Sequence, residues 1–108
     1  MKVRFNQPQE FCEELEKDHF QIERGIIRTT IRYEVSKMSP NIHHVFAVAT
    51  YSVDNQVVEM EKYCGDIWRI NQEQDDEVMA RAKECLDTVE NTAKSCGCEI
   101  RSGSLEDT

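Results

Sequence analysis

The residues best suited to chemistry in this chain are its thiols and imidazoles. Cys96-Gly97-Cys98 sets two cysteines one residue apart, so both thiolates can reach one metal ion or exchange as a redox pair. A metal needs further ligands, and the only adjacent histidines are His43-His44. Neighbouring side chains in a strand point to opposite faces, so those imidazoles do not converge. The same segment has a plainer reading: Cys96 ends an apolar helical stripe, Gly97 stops the helix, and Cys98 opens a strand beside Ile100. Cys96 and Cys98 stand as secondary candidates for zinc or thiol chemistry, and no cofactor is expected.

The acidic run Glu73, Asp75, Asp76 and Glu77 offers oxygen ligands, but with neither the spacing nor the glycine of a calcium loop. Carboxylates at the start of a helix are favoured by its dipole alone. Four glycines, at 25, 65, 97 and 103, are too few and too scattered for a phosphate-cradling loop or a dinucleotide fingerprint. No serine sits in a nucleophile-elbow pattern. No catalytic residue is assigned, and the expectation is of a protein that is not an enzyme.

A different kind of site comes from alternation. Arg28, Arg32, His44, Phe46 and Tyr63 fall on one side of a predicted sheet, where aromatic rings and guanidinium groups can meet a partner. Rings and arginines on an open sheet also suit stacked bases and phosphates. Net charge is -8, which opposes a polyanion, and Glu59 and Glu61 share that side and can pair with the arginines across strands. The order of elements is similar to that of the double-stranded-RNA-binding fold. That family has a basic cluster where this chain has Glu73 to Glu77. Nucleic acid is therefore disfavoured, and a protein partner covering a half-apolar face is preferred.

The elements that must position these residues are legible in part. After a possible short strand at Lys2–Phe5, Asn6 or Gln7 can cap a helix that has Pro8 in its first turn. Its stripe of Phe11, Cys12 and Leu15 is narrow, and the spacing predicts packing over an edge. From Gln21 to Val35 the period becomes two, with Ile27, Ile31, Tyr33 and Val35 on one face and Arg28, Thr30 and Arg32 on the other. Ile22 and Ile26 are out of phase with that set, which predicts a bulge near Gly25.

His43–Val53 and Gln56–Cys64 read as a hairpin about Asp54-Asn55, ended by Gly65-Asp66. A two-residue turn sets Tyr51 opposite Val58, Ala49 opposite Met60, Ala47 opposite Lys62 and Val45 opposite Cys64. On the other face Ser52 meets Val57, Thr50 meets Glu59, Val48 meets Glu61 and Phe46 meets Tyr63. A long helix follows, capped by Asn71, Asp75 or Asp76, with its stripe running from Val78 through Ala82, Cys85 and Val89 to Cys96. Trp68 reads as a core plug at the corner between hairpin and helix. The predicted fold is α+β in the order α-β-β-β-α-β, an antiparallel sheet with two helices packed on one face.

Composition bounds the rest. A chain of 108 residues, 39% apolar and 31% charged, suits one α+β domain over 1–108 with a short polar tail from about 102. Its N-terminus lacks a signal-peptide core, no apolar run spans a bilayer, and five cysteines cannot all pair within one chain; a cytoplasmic protein is expected, with no membrane contact. Charge is uneven: residues 1–70 hold nine Lys/Arg and eleven Asp/Glu, against four and ten in 71–108. The function expected is that of an accessory or regulatory domain acting by protein–protein contact, with itself as a homodimer or with another protein.

Overall fold

The computed structural model describes residues 2–68 and 72–103, and of residues 72–75 the backbone alone. The elements are β1 (Lys2–Arg4), α1 (Pro8–Asp18), a single 3-10 turn (Glu23–Gly25), β2 (Ile26–Val35), β3 (Ile42–Val53), β4 (Gln56–Trp68), α2 (Gln72–Ser95) and β5 (Glu99–Ser102). They build a five-stranded sheet in the order β1-β4-β3-β2-β5. The α+β class holds, but the sheet is mixed, not antiparallel. The central meander β2-β3-β4 is antiparallel, while β1 joins β4 and β5 joins β2 in parallel. Both edges come from the chain's ends, each reached through a helix, and a helical crossover is what parallel pairing requires.

The hairpin follows its turn chemistry. Asp54 and Asn55 have φ of 51° and 66°, the left-handed pair of a type I′ turn, which short polar side chains tolerate. Seven of the eight expected pairs are present, from Tyr51 opposite Val58 to Phe46 opposite Tyr63. The eighth is corrected by a bulge: Val45 faces Gly65, not Cys64, and the register shifts between Val45 and Phe46. β4 therefore runs past Gly65-Asp66 to Trp68, which pairs with Ile42 at the strand's end and is 41% exposed instead of plugging the core. Gly65 has φ of 138°, and a Cβ there would stand 2.9 Å from Val78 Cγ2, so α2 packs directly onto the bulge. The bulge expected near Gly25 is replaced by the 3-10 turn, and β2 begins only at Ile26.

One face of the sheet carries the core. Val45, Ala47, Ala49, Tyr51 and Met60 meet Val78, Ala82, Cys85, Val89 and Ala93 along α2, all of them buried. Small Ala47 and Ala49 let the helix approach closely, and Tyr51 fills the space beyond. α1 does not merely cover an edge. Phe11 and Leu15 are buried in the same cluster, Phe11 packs edge-on against Phe5 at 4.4 Å, and Cys12 Sγ lies 3.1 Å from Thr92 Oγ1 of α2. The Tyr51 hydroxyl donates to Asp18 at 2.6 Å, which ties the end of α1 to β3, and Thr29 donates to Glu90 of α2 at 3.0 Å. Gly97, with φ of 83°, ends α2 as expected. The Asn71 cap, the side chains of Glu73 and Asp75, and residues 104–108 of the polar tail lie outside the described residues.

Candidate functional site

Both helices lie on the core face, so the other face has no helix over it. Register fixes its layout in four rows across the strands. Lys2, Glu59, Thr50, Arg28 and Arg101 form the first, and Arg4, Glu61, Val48 and Thr30 the second. Tyr63, Phe46 and Arg32 form the third, and Asp66, His44 and Glu34 the fourth.

Glu61 is the centre of the second row, and its side chain is 0% exposed. A carboxylate out of water needs compensation, and three cations supply it. Arg4 Nε lies at 2.9 Å, Lys2 Nζ at 3.4 Å, and the Arg32 guanidinium donates from the other side. Burial pushes this carboxyl up, but Arg32, Arg4 and Lys2 outweigh it, and the group titrates below its ordinary range. Arg32 also holds Glu59 at 2.6 Å and stands 4.9 Å above the Phe46 ring, so one guanidinium links both carboxylates to the aromatic row. The pairing of Glu59 and Glu61 with arginine across strands is thus realised. The recruitment of Lys2 and Arg4 was not readable, because nothing local specifies β1's partner.

At the far end, His44 Nδ1 is 2.6 Å from Asp66 Oδ1, and the Tyr63 hydroxyl donates to the same oxygen. Burial raises Asp66, but His44 and Tyr63 more than offset it and hold the carboxyl below its ordinary value. The Tyr63 phenol is pushed up to about 12 by burial and by that hydrogen bond. Phe46 lies 5.7 Å from Tyr63 and His44 6.0 Å from it, ring to ring. His44, Phe46, Tyr63 and Arg32 are therefore one connected cluster, with Tyr63 51% exposed. Arg28 stands apart, two rows away. One carboxylate, Asp66, thus orients both the His44 imidazole and the Tyr63 phenol beside the Phe46 ring.

The thiols point elsewhere. Cys98 is buried in the core and its thiol is raised by burial and by Cys96, while Cys96 is half-buried against the same cluster. His43 and His44 lie on opposite faces of β3, and among the described residues no group of three metal-ligating side chains comes together. A cavity of about 480 Å³ lies between α1, the β4 bulge and α2, with Lys62, Cys64, Arg81 and Glu84 among its walls. Its cations are engaged, Lys62 by the Asn6 carbonyl at 2.6 Å and Arg81 by Glu77 at 3.2 Å, and burial raises the Cys64 thiol.

Comparison with protein-family models, curated proteins and solved structures gives no match. Among the described residues, no helix is long and apolar enough to cross a membrane.

Proposed function

We propose that this chain is an accessory or regulatory domain that acts by protein–protein contact, beginning with a second copy of itself. The observation that carries the reading is the outer edge of β2. β5 pairs with β2 only over Ile26–Thr29, and no described strand lies beside Thr30–Val35. Tyr33 and Val35 are 50% and 55% exposed there. An unpaired strand edge bearing apolar side chains is a template for another strand.

The edge is also complementary to itself. Ile31-Arg32-Tyr33-Glu34-Val35 paired antiparallel about Tyr33 sets Ile31 opposite Val35 of the second copy, and Arg32 opposite its Glu34, which would share a guanidinium that Glu59 and Glu61 already hold. Both contacts occur twice about the two-fold axis, as an isologous interface requires. The joined sheets would carry two clusters of Arg32, His44, Phe46 and Tyr63 on one continuous face, with Arg28 at its margin. Rings and an arginine already ordered by Asp66 and Glu59 lose little freedom on binding, which suits them to anchor a protein partner.

Sedimentation equilibrium over a concentration series tests the first step. A dimer is expected, and Glu34→Arg should weaken it about tenfold or more, by setting like charges across the two-fold axis. Glu34 is exposed and makes no ion pair in the described residues, so this variant leaves the fold intact. A monomer up to roughly 0.1 mM, or a dimer indifferent to Glu34→Arg, would overturn the reading.

A further inference from the structure

The first row of the open face ends in an arrangement that protein contact does not explain. Arg28 and Arg101 are direct neighbours across the parallel β2–β5 pair, so their guanidinium groups leave the same face side by side. Like charges in that position repel. Arg24, from the 3-10 turn, joins them around a cavity of about 240 Å³ that Ser52 and Ile26 also line, with Glu23 the one acidic residue in its wall. In a chain of net charge -8, three arginines converge on one hollow.

Their partners are few. Among the described arginines, Arg24 and Arg28 alone have no carboxylate within ion-pair distance, and both line this cavity. Arg101 is held by Glu99 through Nε at 3.2 Å and Nη2 at 3.4 Å, an exposed pair that contributes little and can be exchanged for a stronger acceptor. Arg28 Nε and Thr50 Oγ1, which face each other across β2 and β3, are both buried without a hydrogen-bond partner. Buried donors in folded proteins are nearly always satisfied, so a protonated Nε with nothing to bind is a group waiting for an acceptor. Glu23 does not fill the role, since its Oε1 accepts the Asn55 N–H at 2.8 Å.

We infer that this cavity is an anion site for the phosphoryl group of a small molecule, held by Arg24, Arg28, Arg101 and Ser52. A carboxylate presents its acceptor sites in one plane, whereas a phosphoryl group presents them in three dimensions. Three guanidinium groups and a hydroxyl reaching one hollow from a turn and three strands match a tetrahedral dianion with acceptors on every side. The charge agrees in sign, because three arginines still exceed Glu23 and the Glu99 that Arg101 holds, and an anion offsets the surplus. The site lies two rows from the aromatic cluster and on the other side of Arg28 from the β2 edge proposed to pair, so it does not depend on that pairing.

The test is a titration of the full labelled chain with inorganic phosphate at constant ionic strength, followed by NMR through the backbone amide and arginine Nε–H signals. Saturable shifts centred on Arg28, Arg101 and Ser52 are expected. Arg28→Gln should raise the dissociation constant about tenfold or more, and Arg24→Gln by less. Arg101→Gln, at an exposed position, carries the same test should Arg28→Gln fail to fold. Shifts that grow without saturation and spread equally over Lys2, Arg4 and Arg32 would overturn the site, as would binding unchanged in Arg101→Gln. A parallel titration with a short single-stranded RNA separates a discrete pocket from a polymer track. A footprint running from Arg28 to Arg4 and Arg32, much tighter than phosphate, would replace the small-molecule reading.

Discussion

The two faces of this sheet are buried by different means. On one, Val45, Ala49 and Met60 are covered by α1 and α2. On the other, with no helix above it, Val48 is 3% exposed and Glu61 1%. The second face covers itself: Arg32 reaches across β3 to Glu61 from one side, and Arg4 and Lys2 of the adjoining β1 reach it from the other. A sheet surface can thus be dry without a second layer, provided one carboxylate gathers the long cations. The difference is in what holds each face. Dispersion and the hydrophobic effect hold the first, and ion pairing around a desolvated charge holds the second.

That contrast can be broken from either side. Phe11→Ala should have the largest effect, about 4 kcal/mol in urea unfolding, because a fully buried ring leaves a cavity between α1 and the sheet. Glu61→Gln should cost somewhat less, about 3 kcal/mol near neutral pH, since three cations lose their counter-charge while remaining able to reach water. If Glu61 were an ordinary surface residue, the loss would stay within about 0.5 kcal/mol.

The same variant sharpens the contrast through pH. The folded state holds the Glu61 carboxyl below its unfolded value, so its contribution is fully present above about pH 4 to 5 and is lost as pH falls through the lowered folded value. Stability curves of wild type and Glu61→Gln should therefore converge on acidification, whereas the deficit of Phe11→Ala persists. The smallest effect is expected for Phe46→Ala, about 1 kcal/mol, from loss of the ring beneath Arg32. A loss as large as that of Phe11→Ala would mean the open face is a second hydrophobic core and not an ionic one.

How much of this was legible follows from sequence distance. The β3–β4 register was readable because Asp54-Asn55 fixes it within four residues, and the split of β2 into Ile27 and Arg28 faces followed from alternation alone. The α2 stripe was readable for the same reason. The bulge at Val45/Phe46 was not, because it answers to Val78 pressing on Gly65, a contact between elements. Trp68 misled because a large apolar residue near a predicted strand end resembles a core residue, while the strand in fact continues to it. Periodicity puts His44, Phe46, Tyr63 and Arg32 on one side of the sheet, and the register sets them on one face. Its wiring to Asp66, and the grouping of Arg24 and Arg101 around Arg28, depend on a bulge, a 3-10 turn and a parallel pair that no local pattern encodes.

The placement of β1 has a consequence for how the chain assembles. Arg4 meets Glu61 across 57 positions of chain, and β5 must likewise wait for α2 before it reaches β2. Contacts that close such long loops form late. The meander therefore takes shape first with both flanks bare, and until β1 docks Glu61 has Arg32 alone of its three cations. Ionic groups in the middle of an open strand make it a poor seed for stacking, so the residue that locks the N-terminus in place also guards β4 before β1 arrives.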